Sequence, residues 1–244
     1  INIEPDDKVM AFICTQDLKD EEYVNSRYVI MATKKGQVKK TPLEQYSRPR
    51  TNGINAITIK EGDELLEAKL TTGDSQVMLA VKSGKAIRFE EEKTRPMGRN
   101  ASGVRGIRLA DDADEVVGMI AINDTASEIL VVSENGYGKR SSIEDYRITN
   151  RGGKGVKTIS VTDKTGKLVA IKNVIDSDDL MIINKSGIAI RMAVDSLRVM
   201  GRATQGVRLI KVREDDSIAA VAKVMREDDP ELDESLQDAD SQNT

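Results

Sequence analysis

The sequence predicts an all-β chain built as a propeller-like array of about four-stranded blades. Three observations predict it. The chain repeats itself four times with a period of 48 to 52 residues. Each copy opens on two short apolar runs around a glycine turn, and no copy carries a sustained 3.6-residue apolar pattern. A unit of this length is a small sheet that cannot cover both of its faces alone, so it buries them against its neighbours.

The elements follow in order. Residues 1–26 begin with "EPDDKVMAFI", a lone copy of the piece that closes every later unit. Complete repeats then occupy roughly 27–76, 77–127, 128–178 and 179–225. Each starts with a strand–turn–strand segment: "VIMATKKGQVKKT", "VMLAVKSGKAIRF", "ILVVSENGYGKRS" and "LMIINKSGIAIRM". The turn glycines Gly36, Gly84, Gly136 and Gly187 follow Lys35, Ser83, Asn135 and Ser186, and these pairs predict two-residue hairpins. Seventeen to nineteen residues on comes a second glycine, Gly53, Gly103, Gly155 or Gly206. An aliphatic residue follows it at once, and an isoleucine four positions after it: Ile57, Ile107, Ile159, Ile210. An acidic turn and a last strand close each unit, as in "EGDELLEAKL" and "DADEVVGMIA". With two Phe, five Tyr and no Trp, the faces between blades must be built from Val, Ile, Leu, Met and Ala.

Composition removes much chemistry. Histidine is absent and Cys14 is the single cysteine, so histidine-dependent triads, disulfides and cysteine zinc sites are out of reach within this sequence. No apolar run reaches 18 residues and no signal pattern opens the sequence, which predicts a soluble, intracellular chain with no membrane partner. "RGGKGVKT" and "NGYGKRSS" do not fit G-x-x-x-x-G-K-[ST], and the glycine cluster lies in a β repeat rather than between a strand and a helix. Acid pairs such as Asp178-Asp179 and Asp215-Asp216 fall in predicted turns. Catalytic residues, a metal site and a cofactor are therefore not expected.

Charge is unevenly placed. The 37 bases and 41 acids divide into 36 and 33 before residue 226, and one and eight from there on. Residues 226–244 read as an acidic, disordered tail, and the body as mildly basic. Within the body the bases recur at three places per repeat. Four residues after the turn glycine stand Lys40, Arg88, Arg140 and Arg191. In the following connection stand Arg48, Arg95, Arg147 and Arg198, and just before the second glycine Arg50, Arg99, Arg151 and Arg202. Single arginines on strands and loops are usually solvated. In a radial array, however, repeated ones trace a curved track, which suits an evenly charged polyanion that bends, and duplex DNA is the obvious one. Few aromatics argue against base stacking on single strands, and no recognition helix is signalled. Backbone-contacting, deformation-dependent binding is the reading, with a protein-recruiting rim as the alternative.

At this point the residues resemble a family. Tyr146, Arg147, Arg151, Gly152, Gly153, Lys154 and Gly155 resemble the glycine-rich basic box of the DNA gyrase A C-terminal domain, with Lys157 just beyond it. "MGRNASGVRGI" and "MGRATQGVRLI" are similar to other segments of that domain. The family box reads Gln-Arg-Arg-Gly-Gly-Lys-Gly, and Thr149 and Asn150 stand at its first two positions here. The resemblance implies a β-pinwheel, six blades that exchange strands, with a basic rim around which DNA wraps to support ATP-dependent negative supercoiling. On that implication residues 1–225 are the last four blades of six. ATP and magnesium are then used elsewhere in the parent enzyme. The partners are duplex DNA, the catalytic core of the same polypeptide and the gyrase B protein, in the cytoplasm at the nucleoid, with the isolated domain monomeric. The corresponding C-terminal domain of topoisomerase IV is the runner-up. The Arg147–Lys157 box is expected to touch DNA as a secondary box, with Gly152, Gly153 and Gly155 letting backbone N–H groups approach the duplex.

Overall fold

The computed structural model of the chain describes residues 7–123 and 126–225. The expected disorder of residues 226–244 lies outside the described residues. Among the described residues the array is all-β apart from a five-residue helix and four single 3-10 turns. Helix α1 is Glu21–Asn25, and the strands of the first sheet are β1 (Tyr28–Thr33), β2 (Gln37–Pro42), β3 (Leu65–Thr71) and β6 (Val104–Arg105). The second sheet holds β4 (Gln76–Val81), β5 (Lys85–Glu90), β7 (Val116–Ile122) and β10 (Val156–Lys157). The third holds β8 (Glu128–Ser133), β9 (Tyr137–Ser142), β11 (Leu168–Val174) and β14 (Val207–Arg208). The fourth holds β12 (Asp178–Asn184), β13 (Ala189–Ala193) and β15 (Ile218–Met225).

The strand orders are β3-β1-β2-β6, β10-β5-β4-β7, β11-β8-β9-β14 and β13-β12-β15. Each long closing strand pairs with the first strand of its own repeat, whereas each two-residue strand pairs with the hairpin of the repeat before. The blades thus exchange strands. Because β6 is the short piece after Gly103, one residue of Val and one of Arg suffice to knit two repeats together.

Strands buried on both faces read as continuous apolar runs rather than alternating ones. In β4, Val77, Leu79 and Val81 pack with Ile30 and Ala32 of the first blade. Met78 and Ala80 point the other way and pack with Ile129 and Val131 of the third. Leu130 and Val132 then meet Leu180 and Ile182 of the fourth. The closing strands β3, β7, β11 and β15 contact one another in succession and form the inner layer, so the two-residue strands lie at the outer edge.

Several expectations are corrected. The hairpin loops of the first three blades have three residues, not two, and that of the fourth has four, Lys185 to Ile188. Gly36 N–H donates to the Thr33 carbonyl at 3.0 Å, and Gln37 resumes the strand. A primed two-residue turn needs a positive φ at Lys35, and among the described residues only glycines have one. The turn glycine also serves a close approach. A Cβ at Gly36 would sit 2.9 Å from the Ile107 carbonyl oxygen of the next repeat, and at Gly84 2.8 Å from that of Ile159. Asp178 and Asp179 stand at the start of β12 rather than in a turn, where Asp179 pairs with Arg191 and Asp178 with Lys223. The closing copy near the chain start forms no strand in its described part, because among the described residues no hairpin of its own lies beside it. Instead α1 covers the first blade, with Val24 packed against Val29, Met31 and Leu43.

Candidate nucleic-acid interface

The outer edge of each of the first three blades is covered by the connection of the following repeat. That connection first runs parallel to the outer hairpin strand, with bridges Lys40↔Pro96, Arg88↔Ile148 and Arg140↔Val199. Met97, Thr149 and Met200 N–H groups donate to the Lys40, Arg88 and Arg140 carbonyls at 2.8 to 2.9 Å. The chain then turns through the basic box and returns antiparallel as β6, β10 or β14. The boxes of the last three repeats therefore sit on the rim, each laid over the blade before it.

The three sequence places separate sharply here. Lys40, Arg88 and Arg140 are only 4%, 7% and 8% exposed and lie between blades, so they are not open rim cations. Arg88 Nη1 donates to the Ile143 and Tyr146 carbonyls at 2.8 and 3.0 Å, and its Nε to Gln76 Oε1. Arg140 Nε donates to the Leu197 carbonyl at 2.6 Å, and Nη1 pairs with Glu128 and Asp176. Lys40 Nζ lies 3.9 Å from Glu91 Oε1 and over the Tyr28 ring. The physical reason is that the hairpin's second strand has the next repeat's 3-10 turn packed on it, and the buried carbonyls in and just after that turn have acceptor capacity that the turn's own N–H groups leave unfilled. Arg191 is exposed and pairs with Asp179 of its own sheet.

The connection bases Arg48, Arg95, Arg147 and Arg198 are all exposed. Of the box bases, Arg50 is exposed, but Arg99, Arg151 and Arg202 are half-buried and donate to backbone carbonyls of the preceding repeat. Lys154 and Lys157 are exposed. Arg147, Lys154, Thr149 and Asn150 line one open groove of about 220 Å³ on the third box. Arg48, Arg50 and Arg99 line a comparable groove on the first, of about 450 Å³.

The box glycines are used by the protein itself. Gly155 has φ +70°, and a Cβ there would stand 2.5 Å from the Ala86 carbonyl oxygen. Gly103 and Gly206 make the same approach to Val38 and Gly138. Gly152 N–H donates to the Gly106 carbonyl at 2.6 Å, and the Gly153 carbonyl accepts from Arg108 N–H at 2.8 Å. Close packing on β5 accounts for Gly155, and a positive φ of +81° with its N–H given to Gly106 accounts for Gly152.

Two further features escaped sequence reading. The residue two after the second glycine is Asn55, Arg105, Lys157 or Arg208, a fourth recurring place whose last three members are exposed bases. Alternation along the two-residue strand turns Val104 inward and Arg105 outward, so the repeated "GVR/GVK/GVR" was the available signal. Beneath two of the boxes lie lysines with no exposed surface, Lys39 and Lys139. Lys39 Nζ donates to the Ala56 and Arg99 carbonyls at 2.5 Å, and Lys139 Nζ to that of Gly201. Burial, reinforced by the nearby Arg99 guanidinium, lowers the Lys39 pKa to about 8. Burial likewise brings Lys139 to about 8, with Asp145 opposing and Arg202 assisting. Nothing in the strand pattern foretold this, because both boxes that cover these lysines arrive from about sixty residues away.

Comparison with known proteins places this arrangement. The family described as DNA gyrase C-terminal domain, β-propeller, matches residues 27–72, 76–123, 127–175 and 178–225. The DNA gyrase A protein of Staphylococcus epidermidis is 43% identical over 230 residues, covering 94% of this chain and 25% of that protein. Its counterpart from Staphylococcus aureus is 42% identical over 238 residues, covering 97% and 26%. The chain thus spans about a quarter of the length of these curated relatives. Among solved structures, the C-terminal domain of DNA topoisomerase IV aligns with a TM-score of 0.81 at 24% identity, over 88% of this chain and 67% of that one. A DNA gyrase A C-terminal domain aligns at 0.80 and 23%, over 92% and 73%. At those identities the two structures speak to the fold.

Proposed function

The chain belongs to the DNA gyrase C-terminal domain family, and from that premise we propose that it binds duplex DNA along the outer edges of its blades and bends the duplex around them. The observation that carries this is the pair of exposed basic places repeated on the rim: Arg95, Arg147 and Arg198 in the connections, and Arg105, Lys157 and Arg208 on the exchanged strands. Lys154 joins Arg147 in the groove of the third box, and Arg48 and Arg50 extend the track onto the first. Bases at equal angular steps match phosphates along a curved backbone and carry no pattern for reading base edges. Bending a duplex of 20–30 base pairs costs about 1–6 kcal/mol, which single contacts of this kind cannot offset but a row of them can.

In this reading residues 1–225 act as a non-catalytic wrapping unit of a gyrase A-type protein, and residues 226–244 as its acidic tail. The partners are the catalytic core of that protein and gyrase B, and the setting is the cytoplasm. ATP-driven strand passage belongs to the rest of the enzyme. None of the described helices is long and apolar enough to cross a membrane.

Fluorescence anisotropy with a duplex of roughly 40 base pairs, repeated from 50 to 200 mM salt, tests the reading. Binding should fall steeply with salt, with a log–log slope close to −0.9 per phosphate contacted. A single strand of the same length should bind more weakly. Salt-independent binding, or preference for the single strand, contradicts it.

A further inference from the structure

Arg99, Arg151 and Arg202 stand at one repeated position, and their guanidinium groups are turned toward the protein. Arg151 Nε donates to the Lys93 carbonyl at 2.9 Å and Nη1 to the Arg105 carbonyl at 3.1 Å. Arg202 repeats the pair one blade on, Nε to Asp145 at 3.0 Å and Nη1 to Lys157 at 2.8 Å. Arg99 Nη1 reaches the Asn55 carbonyl at 3.1 Å. Lys93 and Asp145 each end the 3-10 turn of the preceding repeat. Arg105 and Lys157 occupy the outward position of the preceding box strand, and Asn55 the equivalent position of the first repeat, which forms no strand there. One planar fork thus spans two carbonyls, and one of the two belongs to the residue bearing the exposed base.

Resting on the DNA-binding reading above, we propose that Arg99, Arg151 and Arg202 are positioning residues that fasten each basic box to the one before it. The exposed bases of successive blades are thereby held as one rigid track and engage a duplex together. Box arginines then contribute geometry, while Arg105 and Lys157 contribute the phosphate charge. Lysine keeps the charge but lacks the fork, so it cannot span both carbonyls.

The test compares Arg151→Lys and Arg202→Lys with Lys157→Gln in the full chain. Amide hydrogen exchange is measured without DNA, and anisotropy with a 40-base-pair duplex across salt. The arginine-to-lysine variants should speed exchange around residues 105–106 and 157–158 and weaken binding about fivefold or more, with the salt slope unchanged. Lys157→Gln should leave exchange alone and flatten the slope by about 0.9. Unchanged exchange in both arginine variants overturns the proposal. So does full affinity despite faster exchange, or a slope that drops by about 0.9 when Arg151 or Arg202 is replaced by Gln. If the wild-type chain shows no salt-dependent binding, the DNA-binding reading fails with it, and the exchange arm still decides by itself whether these arginines hold the boxes.

Discussion

Lys39 and Lys139 carry ammonium groups into spaces with no solvent, and each meets loop carbonyls there. Removing a charge from water is costly, which is why both pKa values sit near 8 rather than 10.5. Between about pH 8 and 10.5 the unfolded chain therefore holds more protons at these sites than the folded one. Stability contributed by them rises with pH across that window and is lowest below pH 8. Lys139→Met removes one such site. Urea unfolding at several pH values should show wild type gaining stability relative to this variant from pH 8 to 10. A constant difference across that range contradicts the assignment. The second blade shows that the position accepts a hydrocarbon, for Ile87 lies under the third box where Lys39 and Lys139 lie under theirs. In sequence nothing separates Lys39 from its neighbour Lys40 in "VKKT", or Lys139 from Arg140 in "GYGKRS", because lysines are rarely buried and the covering box lies far along the chain.

At the scale of the element, the hairpin is the unit that the chain announces most clearly. Its apolar runs and turn glycine are local signals, and the four copies share them. What was not legible is what lands on the hairpin from the next repeat. The Ile107 and Ile159 carbonyls on the turn glycines, and the 3-10 turns over Arg88 and Arg140, involve partners about 55 to 75 residues distant. Strand period tells which residues alternate, not which face a neighbour covers. Twelve recurring bases therefore looked equivalent in sequence and fell into three kinds in space: buried clamps, half-buried braces and open rim cations. Arg88 is the clearest clamp, since it satisfies two carbonyls of residues that are themselves 2% or less exposed. Arg88→Met should remove the Arg88 donor from the Tyr146 carbonyl and leave the Ile143 carbonyl with only the Tyr146 N–H, at a cost of about 1–3 kcal/mol in unfolding free energy, measured by urea titration. A change below about 0.5 kcal/mol would show that the clamp is dispensable.

On the scale of the whole molecule, the blades are tied in both directions. Clamps reach forward from the first three hairpins to the following repeat, and braces reach back from the last three boxes to the preceding ones. Apolar contact between sheets supplies the bulk of the cohesion, and these donors fix the angle at which one sheet follows another. Under the wrapping reading proposed above, that repeated connection gives a curved outer edge along which the bases follow one another. The curvature is what distinguishes bending a duplex from merely attracting it, and it is tested most directly by topology. Nicked circular DNA is sealed by ligase with and without the chain, at concentrations where anisotropy shows saturation, and then stripped of protein. If the rim wraps the duplex, the topoisomer distribution shifts away from the protein-free one, and further as the chain is added. A distribution identical to the protein-free control would contradict wrapping, even with every base of the rim in contact with DNA.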